Sequence, residues 1–172
     1  MNYRLKVEIE YLIALGNEKT IEELPVFSKD EQLLLRKIYQ NFNTAGAEKV
    51  NQIEAPTNHD VKAIEYYIQS KVKKLHHPWI HFALTSEDVN NLSYSLMWQG
   101  GLQGVYLPAL RSVNKELKKL ARKYKNAAML ALTHGQPASP TTFGKEMAVF
   151  CARLGRQIDQ IKSQKLLGKF GG

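Results

Sequence analysis

The 172-residue sequence has a single cysteine, Cys151, and no apolar run that reaches the roughly 18 residues of a membrane-spanning helix. One cysteine cannot form an internal disulfide, and the first residues lack the apolar core and cleavage site of a secretory signal. These absences predict a cytoplasmic protein that has no membrane partner and whose Cys151 is a small buried side chain. Apolar residues make up 44% of the chain and charged residues 23%, a balance typical of a folded globular protein.

The sequence motifs of several enzyme classes are also missing. There is no Gly-x-Ser-x-Gly, no Gly-x-x-x-x-Gly-Lys-[Ser/Thr] and no Gly-x-Gly-x-x-Gly, so neither a serine hydrolase of that type nor a nucleotide-fold phosphate loop is supported. The one His-x-x-x-His spacing, from His77 to His81, contains the helix-breaking Pro78, and a lone cysteine cannot supply a paired metal ligand. The sequence therefore predicts neither a metal nor a cofactor.

Positive charge is concentrated in the second part of the chain. Residues 1–110 carry 11 basic and 13 acidic side chains, whereas residues 111–172 carry 13 basic and 3 acidic ones, so the net charges are −2 and +10. This asymmetry predicts that the second part meets anions, which leaves a phosphorylated small molecule, nucleic acid or an acidic surface as candidates. The basic run from Arg111 to Lys125 is typical of a solvated helix face, and we do not expect a nucleic-acid partner.

Apolar residues recur at spacings of three and four along most of the chain, which predicts an all-α fold. We expect a small helical N-terminal domain over residues 1–77. Residues 78–172 are expected to form an incomplete part of an elongated bundle of long helices. The longest periodic stretch runs from about Ser86 to Tyr124. Its interruption is predicted by Gly100, Gly101, Gly104 and Pro108.

Helix starts and stops follow from local signals. Capping boxes are predicted at Ser28 with Glu31, Thr57 with Asp60, and Thr85 with Asp88. A helix over residues 44–54 is expected to end at Ala55-Pro56, because the residue before a proline avoids the helical region. Residues 127–132 are predicted to be extended and to enter a loop. Pro140 is expected to be the first residue of the last helix.

Polar groups cluster at three predicted loop-to-helix junctions, which are residues 57–60, 81–88 and 133–140. Free N–H groups at a helix start bind phosphate or carboxylate, and a histidine beside them can contact an anion or move a proton near neutral pH. Taken singly, each junction is also explained as an ordinary helix cap next to an ordinary histidine. The residues alone leave both interpretations open.

Together, the three junctions resemble the adenylosuccinate lyases, a family of the fumarase/aspartase superfamily, in their bacterial form. The resemblance extends along nearly the whole chain and includes residues 3–8, 57–66 and 81–93. Its most specific part is Thr133-His134-Gly135-Gln136-Pro137-Ala138-Ser139-Pro140, followed by residues 144–148. Three ordered motifs at the spacing of one family favour the functional interpretation of the junctions over the structural one.

The resemblance implies a C–N lyase of purine nucleotide biosynthesis that releases fumarate by β-elimination from adenylosuccinate and from the succinyl-carboxamide ribotide. It assigns His134 as the general acid and Thr85 with Ser86 as contacts of the succinyl carboxylates. The remaining substrate-binding residues that it implies are Asn58, His59, Asp60, His81 and Gln136. It also implies self-association, with a homotetramer for the complete enzyme and active sites shared between subunits.

The resemblance covers about the first 40% of the family's length, and two of its functional segments lie outside residues 1–172. These are an Arg-Tyr phosphate-binding loop before Tyr3 and the flexible loop that supplies the general base. Leu132 stands where the family usually has arginine. We therefore expect a piece that is inactive by itself. A non-catalytic helical module that binds purine nucleotides or serves assembly is the alternative.

Overall fold

The computed structural model describes residues 1–171, whose contacts divide the chain into two compact units. Unit 1 contains residues 1–97 and the terminal segment from residue 167, and unit 2 contains residues 98–166. The helices of unit 1 are α1 (Asn2–Gly16), α2 (Lys29–Gln40), α3 (Thr44–Thr57), α4 (Asp60–Gln69), a 3₁₀ helix (Lys74–Trp79) and most of α5 (Ser86–Gly101). A π-helical segment (Leu102–Tyr106), α6 (Leu107–Lys123), β1 (Ala128–Thr133), β2 (Gln136–Thr142) and α7 (Phe143–Ser163) follow. The all-α prediction is confirmed, with one short hairpin added.

The two units divide the chain within α5, between Met97 and Trp98. This division follows contacts inside the chain, and the predicted domain boundary between residues 77 and 78 stays a prediction. No helix of residues 1–171 has both the length and the apolar character needed to cross a membrane.

Unit 1 is organised around the apolar face of α1. Leu5, Ile9 and Leu12 are almost completely buried and belong to one cluster with Ile64 and Ile68 of α4. These residues recur at three- and four-residue spacings, so each helix turns one continuous apolar stripe toward the other. The cluster fixes α1 against α4, and the polar residues at the start of α4 are positioned by this packing.

Of two helix ends predicted in unit 1, the structure confirms one and contradicts the other. The capping box of Ser28 and Glu31 is confirmed, with both reciprocal hydrogen bonds present. The predicted stop before Pro56 is wrong, because α3 continues to Thr57 with Pro56 inside its last turn. A proline there removes only one helical N–H, and the following Asn58 ends the helix with a left-handed backbone (φ 48°).

The interruption predicted in the long helix is a π-helical segment. Residues at both of its ends, Gly101 and Leu107, keep right-handed helical dihedral angles, so the backbone stays helical from Ser86 to Lys123. Pro108 lies in the first turn of α6, where the wider π turn precedes it. A π turn shifts the hydrogen-bond ladder by one residue, which accommodates a proline without an N–H.

Helices α6 and α7 form the body of unit 2. Their seam buries Leu107, Cys151 and Ile158, so the prediction of a buried Cys151 is confirmed. Gly144, at the start of α7, lies tightly against the backbone at and just after the end of α6, where an added Cβ would overlap the carbonyl of Ala121 and the backbone of Lys125. Only glycine fits this position.

The segment around His134 is a β-hairpin and not a loop leading into a helix. Strands β1 and β2 are antiparallel, and Thr133 pairs with Gln136 across the two-residue turn His134-Gly135. Pro140 pairs with Leu130 inside β2, so the prediction that Pro140 starts the last helix is wrong. Helix α7 begins after the cap Thr142, whose side chain accepts a hydrogen bond from the N–H of Lys145.

Candidate active site

The first predicted junction is the turn between α3 and α4. Asn58 closes α3 in the left-handed region, and His59 is the N-cap of α4 with Nδ1 accepting the N–H of Lys62 at 3.1 Å. The predicted cap Thr57 is therefore wrong. Its hydroxyl instead donates to the carbonyl of Ile53 at 3.0 Å, within the preceding helix. His59 takes over the cap because a ring nitrogen accepts the free N–H as a hydroxyl would.

This capping role determines which ring nitrogen of His59 is available. Nδ1 acts as an acceptor, so Nε2 is the nitrogen that carries hydrogen in this arrangement. Nε2 lies 3.5 Å from the hydroxyl oxygen of Ser86, and the His59 side chain is 48% exposed. The structure thus brings His59 and Ser86 to one accessible position within unit 1.

Asp60 is joined to the start of α5 through a residue that sequence reasoning had not assigned to the site. Arg4 of α1 forms an ion pair with Asp60, with 2.7 Å between Nη2 and Oδ2, and its Nε donates to Asn90 Oδ1 at 2.8 Å. The Arg4 side chain is mostly buried, and a guanidinium can hold two partners in fixed directions. Arg4 therefore holds the first junction against the second.

The second junction contains the start of α5. The carboxylate of Asp88 accepts the backbone N–H and the hydroxyl of Thr85, both at 2.8 Å, so half of the predicted capping box is present. Asp88 also accepts the backbone N–H of Gly171 at 2.7 Å. These hydrogen bonds, with that from the Thr85 N–H foremost, hold the pKa of Asp88 below its usual range. Asp88 is thus an ionised group that fixes Thr85 beside Ser86.

His81, at the entrance to this junction, is paired with a buried carboxylate. Its Nδ1 lies 2.6 Å from Oε1 of Glu8, and its Nε2 lies 3.9 Å from Oε1 of Glu65. The hydrogen bond to Glu8 raises the pKa of His81, and burial raises the pKa of Glu8. Both directions favour keeping a proton on the pair, which titrates as one unit.

Glu8 and Glu65 were not predicted as site residues, although the sequence carried a signal for both. Glu8 follows Leu5 by three residues and precedes Leu12 by four, and Glu65 stands between Ile64 and Ile68. Helical periodicity places these two carboxylates at or beside the apolar stripes, where an acidic group is costly unless it has a partner. Both are buried in the structure, so a carboxylate within an apolar stripe was the available clue.

Left-handed backbone conformations concentrate at the predicted junctions. Four residues other than glycine within residues 1–171 have positive φ: Asn58 (48°), His81 (62°), Ala83 (57°) and His134 (50°). Such conformations persist where the surrounding structure enforces them, and they are frequent at functional sites. At His81 the enforcing contact is the pairing with Glu8.

The third junction lies in unit 2. His134 and Gly135 have φ of 50° and 75°, the double positive φ of a type I′ hairpin turn. His134 is exposed, as are Gln136 and Leu132. A rigid two-residue turn thus presents the His134 imidazole outward, which is the geometry a proton donor to a bound molecule needs.

The whole chain is similar to known proteins. A family model described as Lyase matches residues 1–172. The chain belongs to this lyase family. It is 45% identical over 177 residues to an adenylosuccinate lyase of Vibrio cholerae and 40% identical to that of Escherichia coli K12, in each case over 100% of this chain and 39% of the relative. An adenylosuccinate lyase of Dictyostelium discoideum is 41% identical over 181 residues, with the same coverage.

Solved structures share the fold. A fumarate lyase from Mesorhizobium matches 92% of this chain and 36% of its own, with a TM-score of 0.67 and 20% identity. A 3-carboxy-cis,cis-muconate lactonizing enzyme from Pseudomonas putida matches 99% and 38%, with a TM-score of 0.69 and 19% identity. The chain spans about two fifths of the length of the relatives that it matches.

Proposed function

We propose that the chain is part of an adenylosuccinate lyase of purine nucleotide biosynthesis. The reaction is a β-elimination of fumarate from adenylosuccinate and from the succinyl-carboxamide ribotide. The observation that carries the proposal is the 40–45% identity to several adenylosuccinate lyases over the whole chain. We further propose a cytoplasmic homotetramer with active sites shared between subunits.

The substrate suits the chemistry of unit 1. Adenylosuccinate carries a phosphate and two carboxylates, and the positive ends of the helix dipoles at the starts of α4 and α5 favour such anions. Thr85 and Ser86 bind the succinyl carboxylates, and His59 adds an exposed imidazole N–H beside Ser86. Asn58, Asp60 and His81 complete the binding site from the same two junctions.

In unit 2, His134 is the general acid. Elimination requires a base that removes the Cβ proton of the succinyl group and an acid that protonates the departing nitrogen. Imidazolium is the side-chain acid best matched to neutral pH, and the exposed turn at His134 presents this group to the substrate. Gln136 contacts the substrate next to it. The base comes from residues outside 1–172, so residues 1–172 alone should not turn over substrate.

A chimera tests this function directly. The chain replaces the aligned 39% of the Vibrio cholerae relative, and fumarate release from adenylosuccinate is followed by ultraviolet absorbance. We expect turnover by the chimera and none by residues 1–172 alone. A folded chimera without fumarate release would contradict the proposal. Fumarate release by residues 1–172 alone would refute the placement of the base.

Leu132 is the one observation that favours a second function. It is 68% exposed on β1, two residues before His134, where the family usually has a cationic side chain. A non-catalytic module would bind purine nucleotides or serve assembly without eliminating fumarate. Leu132→Arg in the chimera separates the two functions. If the chimera with Leu132 is inactive and Leu132→Arg restores turnover, a catalytic contact has been lost at this position. If the chimera with Leu132 is already active, the non-catalytic module is rejected.

A further inference from the structure

We infer that Glu8 is a positioning residue, which holds the His81 imidazole through Nδ1 and thereby fixes the segment that leads into Thr85 and Ser86. The inference rests on the function proposed for these junctions. Glu8 is on α1, 73 residues from His81 in the sequence, and its carboxylate contacts the site at His81.

Packing alone does not account for a carboxylate at position 8. The Glu8 side chain has no exposed surface, and its Oε2 has no hydrogen-bond partner among residues 1–171. A buried carboxylate is costly unless it is paired, whereas a leucine of similar size would fit the apolar face of α1 without that cost. The single contact that offsets the cost is the 2.6 Å pairing of Glu8 Oε1 with His81 Nδ1.

This contact acts on a strained part of the backbone. His81 and Ala83 both have positive φ, and the turn they form leads directly to the N-terminal end of α5. A left-handed conformation is unfavourable at residues other than glycine, so an anchor is needed to hold it. Glu8 supplies the anchor from the buried face of α1.

Other charged groups near the pair of Glu8 and His81 also act on the pKa of the His81 ring. Glu65 of α4 lies 3.9 Å from Nε2 of the ring, and its other oxygen is bound by Lys62 at 2.8 Å. Tyr11 of α1 and Asp88 of α5 are the other titratable groups in electrostatic reach of this region. Glu65 raises the pKa of His81 and Lys62 lowers it, so the hydrogen bond to Glu8 is the main interaction that favours a cationic ring.

The first measurement is the titration of His81 in the 172-residue chain, followed by nuclear magnetic resonance of labelled histidines. We expect Glu8→Gln to lower the titration midpoint of His81 toward the ordinary 6.5, and Glu8→Asp to give an intermediate value. Glu10→Gln is the matched control, because Glu10 is on the same helix but pairs with Arg36. An unchanged midpoint in Glu8→Gln would overturn the inference. If that variant does not fold by circular dichroism, Glu8→Asp decides in the same way.

The second measurement is the pH profile of kcat/KM in the chimera. Glu8→Gln should lower kcat/KM about tenfold at pH 8 and only about twofold at pH 6, where His81 is protonated without help. An equal loss of kcat/KM at pH 6 and pH 8 would indicate a merely structural role of Glu8 and would reject the inference. If the unsubstituted chimera releases no fumarate, the proposed function fails, and the His81 titration still decides on Glu8.

Discussion

The two units differ in how completely they bury their apolar side chains. In unit 1, α1 to α4 contribute to a core of thirteen buried residues, among them Leu5, Ile9 and Ile64. Within residues 98–166 the buried apolar side chains are only those of Leu107, Cys151 and Ile158. Large apolar side chains of unit 2 remain exposed instead: Trp98, Val105, Tyr106, Val113, Leu120, Met129, Leu130, Leu132, Phe143 and Phe150. Four helices close a core within residues 1–97, whereas two long helices bury one seam and expose their other faces.

The two units also differ in how they hold their parts of the candidate site. In unit 1 the site residues are held by ion pairs and hydrogen bonds, such as the buried pair of Glu8 with His81 and the partly exposed pair of Arg4 with Asp60. In unit 2 His134 is held by the backbone of a type I′ turn alone. The proposed binding residues are thus fixed by side-chain networks, and the proposed proton donor is fixed by hairpin geometry.

The largest effect is expected from substituting His134 in unit 2. His134→Ala in the chimera should lower kcat by roughly 10²–10⁴-fold, the usual contribution of one general acid. His59→Ala in unit 1 should raise KM at least as much as it lowers kcat, because we propose that His59 mainly contacts the substrate. Steady-state kinetics on each variant measures both.

Two outcomes would change this division of roles between the units. A nearly normal kcat in His134→Ala would remove the acid from unit 2. A larger loss of kcat in His59→Ala than in His134→Ala would move the acid to the first junction.

The next largest effect concerns stability. Ile9→Ala in unit 1 should lower the free energy of unfolding by about 2–5 kcal/mol, because it leaves a cavity among fully buried neighbours. Val105→Ala in unit 2 should change it by less than about 0.5 kcal/mol, because Val105 is 72% exposed. Urea unfolding of both variants tests the contrast. Equal losses of unfolding free energy would show that the Val105 side chain is buried against another molecule in solution.

How far the sequence predicts the fold and the site depends on which interactions decide each feature. Helical periodicity and the Ser28 capping box are local, and both were predictable. The hairpin was predicted only as an extended segment, because the double positive φ at His134-Gly135 and the pairing of Pro140 with Leu130 depend on a second strand. Glu8 and His81 are 73 residues apart, so their contact follows from the packing of α1 and not from spacing.

A smaller effect is expected for self-association, which should be driven by unit 2. The 172-residue chain should associate at tens of micromolar, since its exposed apolar faces need partner helices. Trp98→Lys should weaken association about tenfold, because it places a charge on that face. Leu33→Lys on the exposed surface of unit 1 is the matched control and should leave it unchanged. Sedimentation velocity measures both, and a well-folded monomer for the unsubstituted chain would contradict the prediction.

The smallest effect is a dependence of stability on pH that belongs to unit 1. The hydrogen bond to Glu8 raises the pKa of His81 above 6.5, so folded His81 keeps a proton that the unfolded chain has lost. Its stabilising contribution is complete below pH 6.5 and declines as pH rises through the folded pKa. Burial lowers the pKa of His76, so His76 contributes the opposite slope, a loss of stability as pH falls below 6.5.

His81→Gln isolates the alkaline slope in urea unfolding curves measured between pH 6 and pH 9. The difference between this variant and the unsubstituted chain removes the contribution of the Met1 amino group, whose pKa is lowered by burial and which acts in the opposite direction. We expect the difference in unfolding free energy to shrink steadily with rising pH, because the proton held by the Glu8 pair is lost over this range. Glu146 in unit 2 does not affect this pH range. The hydrogen bond from Lys145 lowers its pKa, so its contribution to stability is lost only at acidic pH. A difference that stays constant from pH 6 to pH 9 would show that His81 does not carry the proton.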